Sequence, residues 1–458
     1  MKKSLLWIVV LVLSISMVTA FSLYGCKAKE AVEEEAAVEE EAEEAVAEEE
    51  EVAEEAVITE VETQKRVPII IGSWRQDDRI LWEEKIVPVF EAKYPNILML
   101  FQPTANTYYA AVLQTALEGG TAPDVFIEGA FDMSLPHFEA GYLTDITDLE
   151  VMQYFTDFVK SAWSSREGKV YAIPVASVMH GFIYNQEIFD ELNLEPPVTI
   201  DEFFQVLDAI KNDGRYIPLA FGTADAWATA VIGFNNIGAN FWKGEEGRWD
   251  LIRGNTKMTD PIYTDAWQFL LDWAPYMPDN YEGVTYADGQ QLFLQGEAAI
   301  RPAGSWEIAA FLDADFQMGI FKPPVKQEGD TCYINDLIDC GFAINAATTH
   351  PEEAKQVIEW FGSQEFAEIQ TNAIPGFFTL STHAISAENP LSGAFLNWRN
   401  ECELTYRLET QYLSAGTPDL TSELFRLTQM VMNKTITPEQ AGEEAQKSLD
   451  IWYVPPDL

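Results

Sequence analysis

Basic residues are scarce in this chain: 28 Lys and Arg stand against 74 Asp and Glu in 458 residues, a formal charge of −46. So acidic a chain repels phosphate backbones and anionic headgroups, which excludes nucleic acid as a partner. Histidine is scarcer still, with four, at 137, 180, 350 and 383, and none stands in an HExxH, nucleophile-elbow or phosphate-loop context. The four cysteines include no CxxC pair, so neither a zinc site nor a disulfide framework is indicated, and no cofactor or metal is expected. Beyond Cys26 they are Cys332, Cys340 and Cys402; Cys332 and Cys340 are close enough to bridge a short loop, with unpaired core cysteines as the alternative. What the chain does have is 47% hydrophobic residues, 13 Trp and 17 Tyr. It is too apolar to be disordered throughout and too long for one ordinary domain, so two lobes are expected.

The first 25 residues read as an export signal, with Lys2 and Lys3 ahead of an apolar run from Leu5 to about Leu13. Leu23-Tyr24-Gly25-Cys26 resembles the lipobox of bacterial lipoproteins, which implies a lipidated Cys26 and an anchor on the outer side of the membrane, extracellular or periplasmic. Tyr24 stands where a small residue is usual, and an uncut apolar helix from Leu5 to Leu23 is the alternative. From 26 to 66 the chain is an acidic spacer: residues 30 to 64 hold 17 Glu, no Lys or Arg, no aromatic residue, no Gly and no Pro. Such a segment cannot bury enough apolar area to order itself. Those glutamates account for well under half of the net charge, so the body is acidic in its own right.

From Val67 short apolar runs alternate with amphipathic stretches, the rhythm of an α/β architecture with mainly parallel sheets. Residues 67–72, 96–102 and 123–127 read as strands. Thr199-Ile200-Asp201-Glu202 is a capping box that opens a helix with Phe203, Val206, Leu207 and Ile210 on its buried face and Gly214 at its stop. His350-Pro351 and Thr437-Pro438 open two further helices. Ligand crevices in open α/β sheets lie at the carboxyl ends of strands, which makes Ser73, Trp74, Gln102, Glu128 and Asp132 candidates by position alone.

The run Gly168-Lys169-Val170-Tyr171-Ala172-Ile173-Pro174, then Phe182-Ile183-Tyr184-Asn185, then Leu194 to Phe203, resembles the central signature of the extracellular solute-binding proteins of ABC importers, in their carbohydrate-binding branch. Gly119 to Val125, Gly141 to Ile146, Phe293 to Ile300 and Gly304-Ser305-Trp306 agree in order, so the similarity extends from Val67 to the C-terminus. The resemblance implies a two-lobed periplasmic-binding-protein-like fold, each lobe a mainly parallel sheet flanked by helices, with the ligand cleft between them. It divides the body into lobe 1 (67–177 and 301–345) and lobe 2 (178–300 and 346–458). It further implies a monomer that captures a neutral sugar or oligosaccharide by lobe closure and delivers it to an ABC permease, without catalysis. Tyr333 to Asp339 and Leu391 to Leu413 fit no pattern within it.

Sugars present apolar CH faces ringed by hydroxyls, so they call for flat aromatic surfaces with fixed acceptors and donors. Trp74, Trp227 and Trp306 each follow a strand end and are the expected stacking platforms, with Trp242 as a further candidate. Glu128, Asp132, Asp225 and Asp336 are expected acceptors, Arg301 an expected donor, His180 a cleft-lining residue of a lobe crossing, and Phe377 part of a cleft-edge loop after Ile374-Pro375. Arg301 and Arg75 are the arginines placed at strand ends, few for a phosphorylated or carboxylated ligand. A polyamine, drawn by the acidic field and an aromatic box, is the alternative ligand, and a secreted carbohydrate-active enzyme the alternative class.

Overall fold

The computed structural model describes residues 66–456; the export segment, Cys26 and nearly all of the acidic spacer lie outside the described residues. Ten strands run in chain order as β1 (Val67–Ser73), β2 (Ile97–Pro103), β3 (Val125–Gly129), β4 (Ile173–Asn185), β5 (Ile217–Leu219), β6 (Ala298–Gly304), β7 (Met318–Phe321), β8 (Tyr333–Ile344), β9 (Phe378–Thr379) and β10 (Glu403–Thr405). Among the described residues no helix is long and apolar enough to cross a membrane.

β1 lies between β2 and β3, parallel to both, which is why it reads as an unbroken Ile69-Ile70-Ile71 run rather than an alternation. Pro68, which has no N–H for the ladder, sits exposed at the second residue of the strand. The path continues β2-β1-β3-β8-β4-β6-β5, with β7, β9 and β10 paired at the side. The pairings of β4 with β6, β7, β8 and β9 and of β3 with β8 are antiparallel, so the sheets are mixed.

One strand changes partners along its length. Residues Ile173 to Met179 of β4 pair with β8, and residues His180 to Asn185 pair with β6 and β7. Register shifts between Pro174 and Ser177 bend it, as bulges do. β4 therefore changes partners between Met179 and His180. β6 and β7 pair with the second half of β4, so residues 298–321 group with the second half of the molecule. β9 pairs with the first half of β4, and the helix Pro351–Phe361 packs on β1, β4 and β8. The return crossing is thus β8 itself. Its mixture of polar Asn335, Asp336 and Asp339 with apolar Ile334, Leu337 and Ile338 conceals a strand of 12 residues.

Helix starts follow the local chemistry. The Thr199/Glu202 capping box is formed, and Gly214 ends that helix in the left-handed conformation. The C-terminal helix Pro438–Leu449 carries the same device from Thr437 and Gln440. The disulfide joins Cys332 to Cys402, Cα atoms 5.0 Å apart, while Cys340 is free and buried in β8. Eight residues of extended chain hold Cys332 and Cys340 roughly 26 Å apart, and the parallel pairing of β10 with β8 brings Cys402 alongside Cys332 instead.

Candidate ligand cavity

The ends of β1 and β3 and the segments following β5 and β6 open on one cavity of about 720 Å³, inside the range of small-molecule sites. On the first half, Trp74 follows β1 and meets Tyr109 edge to face, ring centroids 5.5 Å apart. The Tyr109 hydroxyl is fixed by donating to the Ile127 carbonyl at 2.7 Å. Arg75 is buried, and its Nε and Nη2 donate to both carboxylate oxygens of Asp78 at 2.7 Å each. Burial opposes its charge, but Asp78 outweighs burial and holds the guanidinium above its ordinary range. Nη2 also reaches the Trp306 carbonyl at 3.3 Å, and the guanidinium lies 5.0 Å over the Phe377 ring.

At the end of β3, Glu128 Oε1 meets Nδ1 of His137 at 2.8 Å, and Nε2 of His137 donates to Gln114 Oε1 at 3.1 Å. Acceptors on both ring nitrogens favour the imidazolium: burial pulls His137 down, Glu128 pulls harder, and the net is above the ordinary 6.5. Burial lifts the Glu128 carboxyl above its usual range despite that partner. Phe131, just beyond, has φ +57°, a left-handed backbone that costs a bulky residue about 1–3 kcal/mol and is tolerated where the surroundings enforce it.

On the second half, Tyr286 opens the helix Tyr286–Leu294 behind a Thr285/Asp288 capping box. Its hydroxyl accepts from Trp306 Nε1 and from Gln290 Nε2, both at 3.1 Å. Its ring packs against Trp227, centroids 4.9 Å apart, and under the Arg301 guanidinium at 5.0 Å. Arg301 is itself clamped by Glu307 at 3.1 and 2.9 Å and by the Ala220 carbonyl at 2.7 Å. Burial, reinforced by Glu307, pushes the Tyr286 phenol well above its usual value, so it remains a neutral hydroxyl. The two halves meet at the rim, where Thr107 Oγ1 donates to Asp225 Oδ1 at 2.8 Å and receives Trp227 Nε1 at 3.3 Å.

Of the residues singled out in the sequence, Trp74, Glu128, Asp132, Asp225, Trp227, Trp306 and Phe377 line this cavity. Four do not. Trp242 is 1% exposed, packed between Phe234 and Tyr263, because its helix Asn235–Trp242 is buried on nearly every side. Asp336 points to the other face of β8, where Arg399 takes both its oxygens at 2.7 and 3.2 Å. Arg301 stands behind Tyr286 as a support. His180 is fully buried on β4, edge-on to Trp306 with centroids 5.3 Å apart.

The cavity also holds residues that sequence reasoning does not reach. Tyr286 had a local signal, the Thr-x-x-Asp cap that precedes it. Asp339, Arg407 and Glu409 had none, since they come from the two stretches that fit no pattern. Gln411 and Tyr412, in the same loop as Arg407, are consecutive residues with φ +61° and +57°.

These features define a two-lobed α/β binding protein with a cavity at its strand ends. Residues 77–368 match the family model of the bacterial extracellular solute-binding proteins, and the chain belongs to that family of exported binding proteins. It is 26% identical over 293 residues, 60% of this chain and 67% of that one, to the multiple sugar-binding protein of Streptococcus mutans. It is 27% identical over 305 residues, 60% of this chain and 62% of that one, to the maltotriose-binding protein of Pyrococcus abyssi. In fold it is similar to the solute-binding protein RafE in complex with raffinose, at TM-score 0.69 and 24% identity, covering 84% of this chain and 99% of that one.

Proposed function

We propose that the protein captures a neutral oligosaccharide between its two halves and hands it to the permease of an ABC importer. The observation that carries this is the convergence of Trp74 from one half with Trp227 and Trp306 from the other on a cavity of about 720 Å³, with carboxylates between them. Aromatic faces against sugar CH groups and carboxylates against hydroxyls are the complementary chemistry. The names of its relatives point the same way: multiple sugar-binding, maltotriose-binding, and melibiose/raffinose/stachyose-binding. A Pyrococcus horikoshii relative carries the name of an ABC transporter extracellular-binding protein. The chain acts as a monomer held at the membrane by lipid on Cys26, with the acidic segment as a self-repelling spacer.

Titration calorimetry with raffinose, stachyose and maltotriose, beside spermidine as the cationic alternative, tests the ligand class. One of the sugars binds with micromolar or tighter affinity and is recovered intact. Binding of spermidine alone, or release of hydrolysed sugar, refutes the proposal. Cys26→Ser tests the anchor separately: the variant leaves the membrane fraction or accumulates as precursor, and a variant equally membrane-bound at unchanged mass defeats it.

A further inference from the structure

Three arginines stand at or beside the cavity, and two are fully engaged: Arg75 with Asp78, Arg301 with Glu307. Arg407 is different. Among the described residues no carboxylate comes within ion-pair distance of it, and its Nε is buried without a hydrogen-bond partner. Its one contact is Nη2 to Nε2 of His180 at 3.5 Å. Two carboxylates of the same cavity, Asp339 and Glu409, are near enough to offset the charge through space, although burial still leaves the guanidinium below its ordinary range. Glu409 is occupied by Asn235 Nδ2 at 3.0 Å. Asp132 presents a buried Oδ2 with no partner.

The charge at this end of the cavity is thus compensated while its hydrogen bonds are not. A buried donor or acceptor left unmade is the costly condition, and a ligand carboxylate would meet more negative than positive charge here. What fits is a neutral group that accepts and donates at one atom, which is a hydroxyl; adjacent hydroxyls can take from the guanidinium and give to a carboxylate. We infer that Arg407, with Asp339, is the hydroxyl-reading end of the cavity and selects neutral sugars against carboxylated ones. This rests on the sugar reading above and assigns it a specific donor. His180 is its positioning residue: with Nε2 facing a donor it is a neutral imidazole, in keeping with the downward pull of burial and of Arg407 on its basicity. It stands on the strand where the halves join, between Arg407 and the Trp306 ring.

The test is titration of wild type, Arg407→Met and Arg407→Lys with raffinose, stachyose, maltotriose and trigalacturonate, beside thermal melting. On whichever neutral sugar the wild type binds, Arg407→Met loses about 10- to 100-fold in affinity, as for a hydrogen bond to a charged group, while still melting as a folded protein. Arg407→Lys recovers only part of it, since a point charge does not replace the planar fork. Trigalacturonate binds the wild type at least about tenfold more weakly than the neutral sugar. Mono-deoxy analogues of that sugar include one whose penalty is present in wild type and absent in Arg407→Met. A folded Arg407→Met within threefold of wild type overturns the inference and leaves the sugar reading standing, as does tighter binding of trigalacturonate. If Arg407→Met does not fold, Arg407→Lys decides: undiminished affinity there overturns the assignment. A wild type that binds none of the four sugars withdraws both readings.

Discussion

Replacing Glu307 by Leu isolates the support under the second-half wall. The Arg301–Glu307 pair is 1% and 0% exposed, and both carboxylate oxygens accept from the guanidinium, at 3.1 and 2.9 Å. Deleting the acid leaves a buried cation with only the Ala220 and Tyr286 carbonyls, at 2.7 and 3.3 Å. Breaking a buried pair from one side costs about 3–5 kcal/mol, because the remaining charge is uncompensated, whereas replacing both members by apolar residues is close to neutral. Urea unfolding followed by Trp fluorescence should therefore show Glu307→Leu less stable by about 3–5 kcal/mol and Arg301→Met/Glu307→Leu restored to within about 1 kcal/mol of wild type. Affinity should not be restored in the double variant. Tyr286 loses the guanidinium that lies 5.0 Å from its ring, and with it the fixed acceptor for Trp306. A single variant within 1 kcal/mol of wild type, or a double variant that regains full ligand affinity, refutes the reasoning.

Trp74→Ala, Trp227→Ala and Trp306→Ala should each weaken sugar binding by about 1–3 kcal/mol, and Trp242→Ala should lower the melting temperature instead; calorimetry and melting together separate the two, and equal effects on affinity from all four sink the assignment. Thr107→Val removes the bond from Thr107 to Asp225 across the rim; affinity should fall by about 3- to 10-fold with no loss of stability, and an unchanged affinity shows the contact has no part in closure. His137 is raised above 6.5 in the folded chain, so its stabilisation is fully present below that pH and is lost as pH rises through the folded value. The stability difference between wild type and His137→Gln should accordingly shrink as the pH is raised above 6.5, and a difference that stays constant contradicts the imidazolium.

Local chemistry made the first half of the molecule legible. Val67-Pro68-Ile69-Ile70-Ile71 and Pro123 to Ile127 declare themselves as buried strands, and each is followed within a few residues by groups that line the cavity: Trp74 after β1, Asp132 after β3. The Thr199/Glu202 and Thr437/Gln440 helix starts rest on interactions within four residues, and His350-Pro351 on a proline at the first helical position, so nothing distant is needed to read them. Partners distant in sequence are another matter. The bond that occupies Asp336 comes from Arg399, 63 residues on, and β8 pairs with β3, β4 and β10, which are spread over most of the body. Trp242 misleads because an aromatic residue at the end of a buried helix has the same neighbours in sequence as one at a cleft.

The junction at β4 and β8 also bounds how closure is driven. β4 runs through both halves, and β8, laddered to the first half, reaches the second through Tyr333 and Asn335, which bond Asn240 and Asn235, so continuous strands rather than a flexible linker join the halves. The bonds that span the cavity from one half to the other are few: Arg75 to the Trp306 carbonyl, Thr107 to Asp225, and Trp227 to Thr107. Two of these lie at the exposed rim, and at about 1 kcal/mol each the three contribute about 3 kcal/mol in total. Moving a two-state equilibrium from 1:99 to 99:1 takes about 5.5 kcal/mol. The remainder must come from a ligand that touches both halves at once. Trp74 and Asp132 on one side, with Trp227, Trp306 and Arg407 on the other, are placed to supply it. A ligand small enough to reach only one group of these residues would bind without closing the lobes, so closure requires a ligand that spans both groups.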